Sequence, residues 1–367
     1  MKTDLNIVLV VLMLFLLTVF TILLFHKGRK NYSNIILACY FVSQIIGISD
    51  TLFVYGLSVG NGMPIIFYPI IFTWVPLFYF YVVSLFETDF RFSWKHTFHF
   101  IPFVIVLSYT VANFYIKDYD IRSQLIESHE IYNQLFYYFG MAFNTQVIFY
   151  NLAALVQYRK YLKRIKDEYS EIDHVGNNWL KTCLFGFVIA CFIVQFGIYS
   201  QRFHVFISVD WFLAGNGAFF IFFNILFYKA IISPNILHRS QIKEKYKHSL
   251  LSTSDARKIL LLLEQCMDEK HPFTDSSLSL KSLSKMTDVS ERNLSQVINE
   301  HRKQNFFDFV NSYRVKYAMR LLKDKNSSRR TMMDIMYDAG FNSKSTFNNA
   351  FKKHSGSTPT DFKKMNS

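Results

Sequence analysis

Two short runs of polar side chains carry the chemistry that can be read from this sequence, and it is hydrogen-bonding chemistry. In the run Ser290-Glu291-Arg292-Asn293-Leu294-Ser295-Gln296-Val297-Ile298-Asn299, helical spacing turns Leu294, Val297 and Ile298 inward. Glu291, Arg292, Ser295, Gln296 and Asn299 are left outside. A second run after Ser343 turns Thr346, Phe347, Ala350 and Phe351 inward and Lys344, Ser345, Asn348, Asn349 and Lys352 outward. Amides, hydroxyls and guanidinium groups on one helix face suit base edges in a DNA major groove. For Lys344, Lys352 and Lys353 the alternative is a solvated basic face. Arg329 and Arg330 fit surface charge and phosphate contact equally well.

Other chemistries lack their parts. There is no GxSxG, HExxH, P-loop or GxGxxG, and a lone intramembrane aspartate lacks the partner that a protease dyad needs. We expect no enzyme and no cofactor. The four cysteines, Cys39, Cys183, Cys191 and Cys266, form no CxxC pair and have no histidine cluster beside them. Three lie in apolar runs and read as small buried hydrophobes.

Both polar runs need a helix-turn-helix to hold them. Leu280, Leu283 and Met286 form an apolar stripe, Thr287-Asp288-Val289 breaks it, and Ser290 is an N-cap for the following helix. The pattern recurs. Thr331 caps a helix through Ala339, with Asp334 completing a capping box. Gly340 supplies a left-handed stop, Phe341 a core anchor, and Ser343 the next cap. Between the units, Phe306, Phe309, Val310, Tyr313, Tyr317 and Leu321 define the apolar face of one helix over 305–322, about 27 Å long.

These residues carry a resemblance. The stretch Leu278–Lys364 resembles the AraC/XylS-type DNA-binding domain, through Leu280-Lys281-Ser282-Leu283-Ser284, Val289-Ser290-Glu291-Arg292-Asn293-Leu294, Ala339-Gly340-Phe341, Ser343-Lys344-Ser345-Thr346-Phe347, Phe351-Lys352-Lys353 and Gly356-Ser357-Thr358-Pro359. The resemblance implies an all-helical domain over about 272–364 with two recognition helices on double-stranded DNA. Arg292, Ser295 and Gln296 would read one groove, and Lys344, Ser345, Asn349 and Lys352 the next. The sequence departs from the family at Ser284 and Met336, where alanine is usual between the paired helices.

The rest of the chain is of another kind. The chain is 51% hydrophobic and 18% aromatic, yet its net charge is +13. Residues 271–367 hold 17 Lys/Arg against 9 Asp/Glu, whereas the preceding residues hold 23 against 18 together with most of the apolar residues. Seven runs are long and apolar enough to cross a bilayer: 5–25, 35–57, 65–86, 98–116, 133–157, 180–200 and 211–232. The first is too long for a signal peptide and no small-residue cleavage site precedes His26-Lys27-Gly28-Arg29-Lys30. Pro69, Pro76 and Pro102 interrupt helical runs. Asn144, Gln146, Asn151, Gln195 and Asn224 read as hydrogen-bonding glue between helices. Residues 233–271 form a basic linker, through Lys243, Lys245 and Lys247, and a coupling helix at 254–270. That helix packs either on the DNA-binding domain or on a second copy of the chain.

The expected architecture is therefore all-α: a seven-helix transmembrane bundle over 1–232, then a cytoplasmic all-helical domain over 272–367 with two helix-turn-helix units. In architecture alone the first 232 residues resemble bacterial membrane sensor proteins, which implies the inner membrane. The outer loops are short, so an unknown small-molecule or membrane signal must reach the helices. Asp50, the acidic residue well inside a span, is the candidate for sensing it. The alternative is a hydrogen-bonded structural aspartate. Competing functions are a transporter with a regulatory tail and a receptor whose tail binds protein. A homodimer is left open.

Short-loop charge sets the orientation. Loops 26–34, 87–97 and 158–179 carry ten Lys/Arg, and segments 1–4, 58–64, 117–132 and 201–210 carry four. The excess belongs inside, so the N-terminus is outside and the C-terminus cytoplasmic. A periplasm-active reporter fused after residue 125 and a cytoplasm-active one after residue 168 will both be active. Activity with the opposite pairing overturns the topology.

Overall fold

The computed structural model describes residues 2–28, 32–55, 68–87, 90–118, 120–122, 124, 130–172, 178–202, 211–232, 251–324 and 330–366. Every regular element among them is a helix, apart from one isolated bridge between Tyr169 and Ser279. The chain forms two compact units. One is Met1–Tyr158 with Trp179–Leu237, the other Arg159–Asn178 with His238–Ser367.

In the first unit the long helices are α1 (Lys2–Gly28), α2 (Tyr32–Tyr55), α3 (Ile71–Phe86), α4 (Ile101–Thr110), α5 (Glu130–Ile165), α6 (Asn178–Arg202) and α7 (Trp211–Ile232). Seven segments, from Leu5–His26 to Leu213–Ile231, are long and apolar enough to cross a membrane. Each folds as helix, a form that satisfies its backbone groups within the segment itself. Aromatic rings fill the interior. Tyr40, Phe41, Phe78, Phe187 and Phe223 are each at most 2% exposed, while Phe15 and Ile22 on α1 are more than 60% exposed. An apolar exterior of this kind suits a lipid neighbour.

Several expectations for this half are corrected. The fourth span is not one α-helix: a 3-10 turn (Trp94–Phe100) leads into α4, and a π-helical stretch (Val111–Tyr115) ends it. Pro102 begins α4, where its missing N–H costs nothing, and Pro69 lies in the 3-10 turn before α3. Of the three prolines only Pro76 interrupts a helix. Among the glue residues, Gln146 reaches another helix, donating to the Phe72 carbonyl at 3.2 Å. Asn151 and Asn224 donate to carbonyls one turn back on their own helices, Val147 and Phe220. The reason is geometric, since a short amide finds the i−4 carbonyl before it finds a neighbour. A cross-helix amide pair sits elsewhere, with Asn216 donating to Asn6 at 2.8 Å between α7 and α1. Cys39 is exposed rather than buried, while Cys183, Cys191 and Cys266 are buried.

The second unit contains α8 (Thr253–Lys270), α9 (Leu280–Thr287), α10 (Glu291–His301), α11 (Phe306–Lys323), α12 (Met332–Asp338), α13 (Lys344–Ser355) and α14 (Pro359–Asn366). Its caps are where the sequence puts them. Ser290, Thr331 and Ser343 accept from the N–H groups of Asn293, Asp334 and Thr346. Asp334 closes the box by accepting from the Thr331 N–H at 2.8 Å. Two cores share α11. The first joins Leu263, Cys266, Met267, Phe273, Leu278, Leu280, Leu283, Leu294 and Ile298 to Phe306, Phe309 and Val310. The second joins Val315, Ala318 and Leu322 to Ile335, Met336, Ala339, Phe341, Phe347, Ala350 and Phe351.

Two boundaries and one expected core position differ. Helix α8 lies in the first core, so the packed domain begins before residue 272. The charged segment 159–178, part of the inner loop expected over 158–179, belongs to this unit as well, and α5 continues through its first residues to Ile165. Met286 is 45% exposed, because the buried face of α9 runs through Leu280, Leu283 and Thr287. The expected linker residues Lys243, Lys245 and Lys247 lie outside the described residues, as does Arg329. Both family departures are accommodated: the Ser284 hydroxyl donates to the Val289 carbonyl at 2.6 Å, and Met336 is 2% exposed in the second core.

Gly340 shows why the second helix-turn-helix turns where it does. Its φ is +87°, and a Cβ there would stand 2.4 Å from the Phe273 carbonyl oxygen and 2.8 Å from that of Thr274. Gly356 also has positive φ, +80°, but open space around it. Gly340→Ala therefore suffers strain and collision, and Gly356→Ala strain alone, about 1–2 kcal/mol. Denaturant unfolding will show the Gly340 variant losing clearly more stability. Equal losses would mean that the carbonyls give way freely.

Candidate nucleic-acid interface

The first polar run lies on α10, held by a turn in which Asp288 takes the left-handed conformation, φ +53°, and Ser290 begins the helix. Glu291 and Arg292 are exposed, as expected. Ser295 and Gln296 are not: they are 7% and 8% exposed. The Gln296 amide donates to Glu300 at 3.0 Å, and Asn299 donates to the Ser295 carbonyl at 2.8 Å. The wheel that assigned these residues to an open face counted one neighbour for α10. In the structure α8 also packs on α10, and Arg302 at its end pairs with Glu264 of α8.

The second run lies on α13 and is open. Thr346, Phe347, Ala350 and Phe351 are buried, whereas Lys344, Ser345, Asn348, Asn349 and Lys352 are exposed along one face. Lys353 turns away to pair with Asp308 of α11 at 2.8 Å. Arg330 pairs with Asp338 at 2.9 Å. The helix ends in Gly356, left-handed, with its N–H on the Lys352 carbonyl. Lys344, Ser345, Asn349 and Lys352 are thus brought together on one helix, while Arg292, Ser295 and Gln296 share α10 with only the first of them exposed. Asp50 belongs to α2 in the other unit, and its side chain lies outside the described residues.

Two capped helices, each following a tight turn and both packed on one connecting helix, form a paired helix-turn-helix. Residues 283–365 match the sequence family described as a helix-turn-helix domain. That part of the chain is a helix-turn-helix domain. Over 82 residues the chain is 34% identical to the HTH-type transcriptional regulator GlxA of Rhizobium meliloti (strain 1021), covering 22% of this chain and 24% of that protein. The chain therefore spans about a quarter of the length of the curated relative it matches. No solved structure matches the chain.

Arg314 is the residue that sequence reasoning missed. It sits on α11 between the two cores and is 0% exposed. Its Nε donates to the Phe273 carbonyl at 2.7 Å and its Nη2 to the Asp275 carbonyl at 2.9 Å. Its Nη1 donates to Asn311 Oδ1 at 3.3 Å. The guanidinium also lies 5.5 Å from the Phe341 ring centre. Burial pushes its pKa down to about 10, against the upward pull of Glu171 and Asp275, so it stays charged at neutral pH. The available signal was its helical spacing, since Arg314 lies four residues after Val310 and four before Ala318, both buried.

His354, near the end of α13, gives the domain a pH dependence. Burial first, then Lys353 and Lys316, lower its pKa below 6.5, with Asp308 opposing them. A histidine with a depressed folded pKa binds protons more readily when unfolded. Its contribution is fully present above pH 6.5 and is lost as pH falls through the folded value. The melting temperature of the domain should fall between pH 7 and pH 5, and less steeply in His354→Gln. Identical slopes would assign the acid sensitivity elsewhere.

Proposed function

We propose that this chain is a membrane-anchored transcription regulator, in which the helix-turn-helix domain binds promoter DNA and a seven-span half receives the signal. The observation that carries this reading is the pair of capped recognition helices on one connecting helix, following seven segments long and apolar enough to span. The relative's printed name, a transcriptional regulator, points the same way. The charge asymmetry of the short loops supports placing the domain in the cytoplasm of a bacterial cell, with the anchor in the inner membrane.

On this reading Lys344, Ser345, Asn349 and Lys352 meet one major groove at once, since their face of α13 is open. Arg292 meets the next, and Ser295 and Gln296 join it only if the neighbours that bury them withdraw. Asp50 remains the proposed sensor of the signal.

The test is a footprint with the full chain in nanodiscs, on genomic DNA selected by binding. Protection should cover two successive major grooves, and affinity should fall steeply with salt as counterions are released. Asn349→Ala should relax base preference in one half of the site and Arg292→Ala in the other, each at a cost of about 1–3 kcal/mol. If both weaken all sequences equally, they touch phosphate and not bases. If no sequence is protected, the regulator reading fails.

A further inference from the structure

Residues 166–171 follow α5 directly and lie within the helix-turn-helix unit. Their backbone is bonded to it at every other step. The Phe307 N–H donates to the Lys166 carbonyl at 2.9 Å and the Leu280 N–H to the Glu168 carbonyl at 2.8 Å. The Ser170 N–H and hydroxyl both donate to the Leu278 carbonyl, at 3.2 and 2.6 Å. Tyr169 forms the isolated bridge with Ser279.

The donors are not arbitrary. Leu280 is the first residue of α9 and Phe307 the second of α11. Helices leave such N–H groups without an internal acceptor. The segment's carbonyls occupy them, as a ligand would.

Arg314 completes the contact. Its Nη1 donates to the Ser170 carbonyl and its Nη2 to the Ser170 hydroxyl, both at 3.0 Å. Ser170 is 0% exposed, and Asp167 and Glu171 are 6% exposed. Buried carboxylates and a fully buried serine do not belong to a solvated loop. Without the segment the guanidinium would lose two acceptors while its charge stayed desolvated. The Lys166 ammonium lies 5.4 Å from the Phe307 ring centre. Burial, and then the Glu168 and Glu291 carboxylates, push the Tyr169 phenol up.

We propose that residues 166–171 are a docking segment that binds the helix-turn-helix domain at Arg314, Leu278–Leu280 and Phe307, giving the domain a second, non-covalent hold on the seven-span half. The first hold is the covalent linker that precedes α8. The contact does not depend on what the domain binds. Only the vesicle readout rests on the membrane anchor proposed above.

The experiment separates the two holds. A protease site is inserted near residue 242 of the full chain, which is reconstituted in neutral phosphatidylcholine vesicles, cleaved, and washed in high salt to remove charge-driven adsorption. The fragment carrying the domain should stay with the vesicles. In Ser170→Pro, which removes the N–H bonded to Leu278 and the hydroxyl bonded to Arg314 but leaves every residue of α8–α14 intact, retention should fall more than tenfold. The released fragment should keep its helical circular dichroism and its cooperative melt, which shows that release is not unfolding. Equal release from the unaltered chain, or equal retention in the variant, overturns the proposal. Either result leaves the DNA footprint test untouched.

Discussion

A single buried guanidinium decides how the helix-turn-helix unit is put together. Taking an arginine out of water costs several kcal/mol after relaxation, and only a full set of acceptors in good geometry offsets it. Arg314 finds them on three pieces of chain: Phe273 and Asp275, Ser170, and Asn311 on its own helix. Moving any of these pieces leaves donors without acceptors, so the arginine sets their mutual positions. The Phe273 carbonyl is used twice, as acceptor for Arg314 and as the wall against which Gly340 turns. The elbow of the second helix-turn-helix is thereby fixed to the chain entering the first.

The two recognition helices end up in unequal states. Helix α13 presents its amides and lysines openly, whereas α10 has turned Gln296 onto Glu300 and keeps Ser295 covered. Both helices have the same local construction, a serine cap and an apolar stripe, so the inequality comes from their neighbours. Helix α8, the Glu264–Arg302 pair and the segment around Tyr169 all gather on the side of the first helix-turn-helix. The neighbours of α13, Asp308 paired with Lys353 and Phe362 against Phe351, leave the face of Lys344, Ser345, Asn348, Asn349 and Lys352 open.

What could be read from sequence was whatever is encoded within a few residues. Caps at Ser290, Thr331 and Ser343, the Gly340 stop, the Phe341 anchor and the seven apolar runs each depend on local spacing, and each appears in place. The misses are non-local. Asn311 and Arg314 were passed over because an apolar-face reading assigns polar positions to solvent. The segment 159–178 was counted by its lysines and arginines, which orient a loop, and not by Asp167, Ser170 and Glu171, which are buried. Ser295 and Gln296 failed for the complementary reason, since a helical wheel knows one helix and not the second that lies against it.

The span between partners has a consequence for how the molecule is made. Ser170 is 108 residues upstream of Leu278 and 144 upstream of Arg314. Its acceptors leave the ribosome long before the helices that need them, with two more apolar spans in between. Contacts this distant in sequence are slow to close, because chain entropy is lost before any bond rewards it. The helices of the unit can therefore pack together first, and the Ser170 contacts with Leu278 and Arg314 close onto them afterwards. The unit is complete only when a segment made early has met helices made last, so its assembly waits for residues on both sides of the two intervening apolar helices.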